Sequence, residues 1–316
     1  QLDLVQRLCD RVGIIAAGLA STGPATVANA ITEAVEVIGW SAEPAWDGQF
    51  TPTTQATGIS EAVARGVDAL FLVAITPSAV SAAVAEAQAA GIPIMCILCG
   101  PDPITDGITN IQADAVAAGE AQAAYAIANS DGQGTIVLYK NEEFQFSAQQ
   151  GDAAEAYLAA NCPDCTVDVR SVLLLEAREA NAPIHTSLLQ EYGEGELDFV
   201  IHPFDSPSGA LSTTASQLGR TDFGVIGYGA LSPFVDMIGT GEPAVAKTSV
   251  TISSPYYGWV AVDLAARVLA GEDTWQADSM PVGLITQENF GDYEAGAPYL
   301  LPDFEFATYF GEIWGR

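Results

Sequence analysis

Four of the five cysteines fall in two pairs of equal spacing, Cys96 and Cys99 in GIPIMCILCG and Cys162 and Cys165 in NCPDC. A doubled C-x2-C is a zinc signal, because four thiolates at that spacing can close a tetrahedron; outside the cytosol the same pairs form local disulfides. His202 stands three residues before Asp205 at a strand end, where the two could do acid–base work. Gly227-Tyr228-Gly229 opens like a dinucleotide loop. None of these chemistries finds its remaining parts. The cysteine pairs fall in different α/β units, which argues against one shared zinc site. His185 and His202 are the only histidines, and no Gly-x-Ser-x-Gly elbow accompanies them. The glycine run continues as ALSPF without its third glycine, and a phosphate-binding loop is missing. The reading is therefore no enzyme, no metal and no cofactor. A disulfide is favoured for Cys162–Cys165, Cys96 and Cys99 are either bridged or simply buried, and Cys9 is left over.

The elements that must position such residues are legible as apolar runs alternating with Ala-rich stretches. The spacing predicts a strand over 12–19, a helix over 24–39 opening at Pro24, and the segment SAEPAWD over 41–47. A helix over 52–65, a strand over 67–75, a helix over 77–91 and a strand over 92–98 follow. Continuous apolar strands of this kind are buried on both faces, as in a parallel sheet covered by helices. The first third is thus one doubly wound α/β unit. The pattern then restarts, with strands over 108–114, 134–140, 166–174, 197–203 and 222–229. Helices over 115–129, 145–160, 177–191 and near 207–218 alternate with them. An extended segment over 245–253, a strong helix over 254–271, a strand over 280–286 and an aromatic, irregular tail close the chain. A chain in this order crosses between its two units more than once.

Composition narrows the partners. Asp and Glu number 40 against 10 Lys and Arg, a formal net charge of −30 over 316 residues. Such a surface repels phosphate backbones and anionic lipid, so nucleic acid is excluded as a partner. The charge reads either as plain solubility or as adaptation to high salt, where screening removes the self-repulsion. No apolar run approaches the roughly 20 residues needed to cross a bilayer. Gln1-Leu2-Asp3 opens abruptly, as a mature or trimmed chain would, and paired cysteines fit an exported protein.

Several phrases then stand in a telling order: ARGVDALFL (64–72), AEAQAAGIPI (85–94), NIQADAVAAGEAQAAYA (110–126), LDFVIHPFDSPSGAL (197–211), FGVIGYG (223–229) and SPYYGWVAVDLAARVLAG (254–271). In that order and spacing, from about Val12 to about Phe290, the chain resembles the type I periplasmic binding proteins, the ribose/galactose-type solute receptors of ABC transporters. The resemblance implies an α/β fold of two Rossmann-like lobes with parallel sheets, joined by a three-segment hinge and holding the ligand between them. The crossovers are expected near Asn110–Ala113, Ser249–Ser253 and Asp278–Met280. The implied N-terminal lobe is 1–112 plus 251–278, and the C-terminal lobe 113–250 plus 279–316, with 291–316 a tail packed on a lobe. It also implies capture by hinge closure, a membrane permease as partner, and a monomer in the periplasm or outside the cell, with a lipoprotein tether as one means of attachment. The alternatives are a sensory receptor of the same fold that signals to a kinase or chemoreceptor, and a receptor for a non-sugar, less polar or aromatic ligand. The effector domain of a transcription regulator is remote, since no helix-turn-helix precedes Val12.

The site departs from the pentose receptors that the chain resembles. Their strand after Gly-Ile-Pro ends in Asp-Arg, where this chain has Leu98 and Cys99. Their Asn-Asp corresponds to Pro203 and Phe204, with Asp205 one step on, and their Gly-Phe-Asp appears as Gly227-Tyr228-Gly229. A hinge Gln matches Ser253, an expected Arg falls near Ala148 or Gln149, and an aromatic pair falls near Gly23 and Pro24. Charged hydrogen-bonding groups are thus replaced by apolar or small ones. Candidates to compensate sit at the same strand ends: Ser21 and Thr22, Trp46 and Asp47, Thr76, Asn141, Glu142, Phe144, Phe146, His202, Asp205 and Tyr228. Trp46 and Phe144 could stack on a ring face or serve as core or lid aromatics. Asp47 and Glu142 could equally be solvated loop acids. The expected ligand is a small molecule, a sugar or one poorer in hydroxyls than a pentose.

Overall fold

The computed structural model describes residues 11–100, 106–251, 254–292 and 305–316. The chain runs β1 (Arg11–Ala16), α1 (Thr22–Ile38), β2 (Ser41–Ala42), β3 (Trp46–Asp47), α2 (Pro52–Ala64), β4 (Ala69–Val73), α3 (Ser81–Ala89), β5 (Ile94–Ile97) and β6 (Ile108–Ala113). It continues with α4 (Ala115–Ala128), β7 (Thr135–Lys140), α5 (Gln145–Asn161), β8 (Thr166–Ser171), α6 (Leu174–Ala177), α7 (Pro183–Glu191), β9 (Phe199–Ile201), α8 (Asp205–Gln217), β10 (Gly224–Tyr228), α9 (Phe234–Thr240) and β11 (Ala246–Thr251). Last come α10 (Ser254–Ala270), β12 (Ala277–Met280), β13 (Gly283–Thr286) and α11 (Phe306–Ile313).

These elements form two units. The described residues up to Ala113, those from Ser254 to Met280 and those of α11 make the first; 114–251 and 281–292 make the second. The first sheet has the order β12-β6-β5-β4-β1-β2, with β3 also paired to β1, and every pair in it is parallel. Val12, Leu70, Phe71, Leu72, Ile94 and Ile97 are sealed in its core. Each such side chain contributes about 1.5–3 kcal/mol of burial. Helix α10 crosses α1 at near backbone contact: a Cβ on Gly258 would stand 2.7 Å from the Ile31 nitrogen. The second sheet has the order β13-β11-β10-β9-β7-β8, parallel except for antiparallel β13. Among the described residues no helix is long and apolar enough to cross a membrane.

Three expectations need correction. The apolar run 280–286 is not one strand. Met280 ends β12 in the first sheet, and Gly283 begins β13 in the second, because Pro281 has no N–H to continue a ladder. The stretch 177–191 is not one helix. Only Ala177 of it belongs to α6, whose other residues come earlier, and Asn181 turns left-handed (φ 61) just before Pro183, where α7 begins. Finally, α11 does not belong with the second lobe, where the division at 279–316 puts it. Trp314 stacks on Trp259 of α10 (5.6 Å between centroids, 4° between planes) and donates its indole N–H to Asp263, while the Arg316 guanidinium donates to the Ile38 carbonyl of α1. Helix α9 follows Pro233 and was not read from the sequence at all.

Candidate functional site

In open α/β sheets, ligands bind beyond the carboxyl ends of the strands. Those edges are also where this backbone is strained. Among the described residues, left-handed non-glycine residues include Gln49, Phe50, Ala74, Leu98 and Ala230. Each lies within three residues of the end of β3, β4, β5 or β10. Such conformations cost about 1–3 kcal/mol apiece and concentrate at functional sites.

The edge of the first sheet carries Ser21, Thr22, Trp46, Asp47, Thr76, Leu98 and Cys99. Asp47 is a clamp for turns: its Oδ1 accepts the N–H of Leu19 (2.9 Å) and of Gln49 (3.0 Å), tying the turn after β1 to the turn after β3. Ser21 and Thr76 occupy N-cap positions, at α1 and at the 3-10 turn Pro77–Val80, without a side-chain cap, and Thr22 is exposed. Trp46 is turned into the packing. Its Nε1–H donates to the Thr54 carbonyl (3.0 Å) and its ring lies over Gly58, where a Cβ would stand 2.5 Å from Cδ1. Phe50, which the sequence reading passed over, lies on Gly18 in the same way. Cys96 and Cys99 form a disulfide, as do Cys162 and Cys165, so neither pair offers thiolates to a metal. Ser253 lies outside the described residues.

The edge of the second sheet carries the remaining candidates, and it is aromatic. Phe144 and Phe204 meet edge to face, 5.8 Å apart, and both are half-buried N-cap residues, of α5 and α8. Phe146 and Tyr228 are buried and lie 5.2 Å apart. Asn141 is fully buried and fully engaged: Nδ2 donates to the Val172 carbonyl and to Glu143, and Oδ1 accepts the Glu143 N–H. Glu142 is exposed.

Asp205 is the most constrained group here. It is 1% exposed, and it accepts the Ser249 hydroxyl (2.8 Å) and the Leu231 N–H (2.6 Å). Burial pushes its carboxyl up to about 7 despite those bonds and the Tyr228 N–H, all of which favour the anion. Asp205 thus ties α8 to the turn after β10 and to β11. His202 does not reach the surface: its ring is 0% exposed, stacked on Tyr139 (4.6 Å, 6°) and edge-on to His185. Desolvation, and then His185, hold it well below the ordinary imidazole range. Neither ring nitrogen has a hydrogen-bond partner among the described residues.

Gln122, Gln150 and Ser249 were missed by the sequence reading. Gln122 reaches from α4 to the carbonyls of His202 (2.9 Å) and Gly227 (3.0 Å), and Gln150 of α5 donates to its side-chain oxygen. A glutamine within an otherwise apolar stretch of Ala-rich helix was the available signal. The basic side chains near this edge are already paired, Lys140 with Asp152 and Glu155, and Arg170 with Asp168 and Glu191.

Residues 12–273 match the family model described as periplasmic binding protein domain. No curated protein matches. Among solved structures, an ABC sugar transporter subunit from Rhodobacter sphaeroides is 23% identical, with a TM-score of 0.77 over 89% of this chain and 99% of its own. An ABC transporter solute-binding protein from Agrobacterium vitis with bound allitol is 19% identical, with a TM-score of 0.77 over 90% of this chain and 97% of its own. Another from Bacillus halodurans, with bound myo-inositol, is 18% identical, with a TM-score of 0.78 over 91% and 98%.

Proposed function

Because the chain belongs to the periplasmic binding protein domain family, we propose that it is the solute receptor of an ABC importer and captures an uncharged sugar or polyol without covalent chemistry. The observation that carries this reading is the family match over 12–273, which takes in parallel strands of both sheets. The bound allitol and myo-inositol of the similar proteins support the ligand class. So does the chemistry of the edges. Lys140 and Arg170 are held in ion pairs, and a chain at −30 repels anions, so among the described residues neither of these cations is free for a sugar acid or phosphate. Phe144 and Phe204 offer ring faces to the apolar side of a sugar or polyol ring.

The partner is the importer's membrane permease, and the receptor works as a monomer outside the cytoplasm, in keeping with two local disulfides. Binding draws the lobes together, which compaction in small-angle scattering would report. A thermal-shift panel tests the ligand class, since a tight ligand raises the melting temperature by mass action. Allitol, myo-inositol or a neutral pentose or hexose should raise it, and sugar acids should not. A rise confined to amino acids or aromatic acids overturns the reading.

A further inference from the structure

We propose that the Cys96–Cys99 disulfide is a positioning element of the binding edge, holding Leu98 in the turn that shapes the wall at the end of β5. The inference rests on the solute-receptor reading and adds to it a residue pair with an assigned task. Side chains alternate along a strand, so residues three apart point to opposite faces. Cys96 and Cys99 nevertheless meet, because Leu98 turns left-handed (φ 58) and returns Cys99 to the face of Cys96. The bridge therefore requires the turn.

The anchor is internal. Cys96 is 1% exposed and Cys99 4%, and both pack in the core cluster with Leu72, Ile75 and Val80. The turn itself stays at the edge, with Leu98 half-buried and its N–H donated to the Ile111 carbonyl of β6 (2.8 Å). A comparison within the same sheet shows what the bridge adds. Ala74 makes the same left-handed step after β4, with its N–H on the Ile97 carbonyl and no cross-link. An alanine tolerates that conformation better than the bulkier leucine, and the residue with the bulkier side chain is the one held by sulfur. Cys162–Cys165 is the natural control, because it staples the turn before the amino end of β8, away from the carboxyl edge.

Three variants test this by amide exchange and by calorimetric titration with myo-inositol and allitol. Cys96→Ala with Cys99→Ala should lose at least tenfold in protection of the amide at position 98 and at least tenfold in affinity. Adding Leu98→Gly should restore the protection, because glycine takes positive φ without penalty, whereas a mere loss of core packing would not be rescued. Cys162→Ala with Cys165→Ala should match the parent in both. Parental protection or parental affinity in the first variant overturns the proposal, as does failure of the glycine to rescue, including a variant that does not fold. If neither polyol binds the parent, the titration uses the neutral pentose or hexose that raises the melting temperature; if no neutral sugar or polyol binds, the ligand class proposed above fails, and the exchange results still decide the role of the bridge.

Discussion

Asp205 and Gly227 are packed so closely that a Cβ at position 227 would stand 2.2 Å from the Asp205 Oδ1. The missing side chain is what lets a buried carboxyl reach Ser249 and Leu231 at once. Gly227→Ala should push it off both and lower the unfolding free energy by about 1–3 kcal/mol in urea titration. Unchanged stability would mean that the network around Asp205 yields without loss.

The same carboxyl should give the fold a pH signature. Its native value is raised to about 7 from 3.8, so the proton it holds favours folding fully below about 3.8, and that contribution is lost as pH rises through about 7. Asp205→Asn removes this slope. Measured as the difference between variant and parent, Asn should gain relative stability from pH 4 to pH 8. A pH-independent difference would show that Asp205 is ionised throughout.

His202 should act with the opposite sign. Its native value lies well below 6.5, so its contribution is present above pH 6.5 and is lost as pH falls below that value. His202→Phe keeps the stack on Tyr139 and forfeits no hydrogen bond among the described residues, and it should gain on the parent toward acid pH. Equal acid sensitivity in both proteins would place the titration elsewhere, with His185 the next group to test.

Two aromatic residues should separate binding from folding. Phe204→Ala is expected to weaken polyol affinity by more than tenfold, about 1.4 kcal/mol, while leaving melting close to the parent. Trp46→Ala should do the reverse and remove about 2–4 kcal/mol of stability, because its ring fills the space over Gly58 and its N–H holds Thr54. Calorimetry and denaturation on both variants check the split; an exchange of the two effects would reverse the assignment.

Helix and strand order was legible because strands buried on both faces, such as ALFLV in β4, must be continuous apolar runs. What escaped was set by distant residues. MPVGLIT looks like one strand, and only its partners, β6 for Met280 and β11 for Gly283 to Thr286, divide it. The acidity of Asp205 was invisible for the same reason: burial by residues distant in sequence raises it, against the hydrogen bonds of Leu231 and Ser249, which pairing of neighbouring strands brings beside it. At a strand end the sequence leaves Trp46 open between a ligand platform and a core aromatic, and the glycine beneath its ring, in the helix that follows, is what puts it in the packing.

Salt should raise stability. At −30, self-repulsion opposes the folded state and molar salt screens it, so the melting temperature should climb between 0.05 M and 2 M KCl. A flat response would mean that the acidic groups are spaced widely enough not to oppose folding.

The interleaving of the two units has a consequence for biosynthesis. Helix α10, which covers α1, and strand β12, which completes the first sheet, both come after 114–251 of the second unit. While the chain is still on the ribosome, Ile31 and its neighbours on α1 have no cover until Gly258 has emerged, and a holdase chaperone has an apolar surface to grip. A unit that closes only after the whole of 114–251 has been made is one that a secretion channel can still thread.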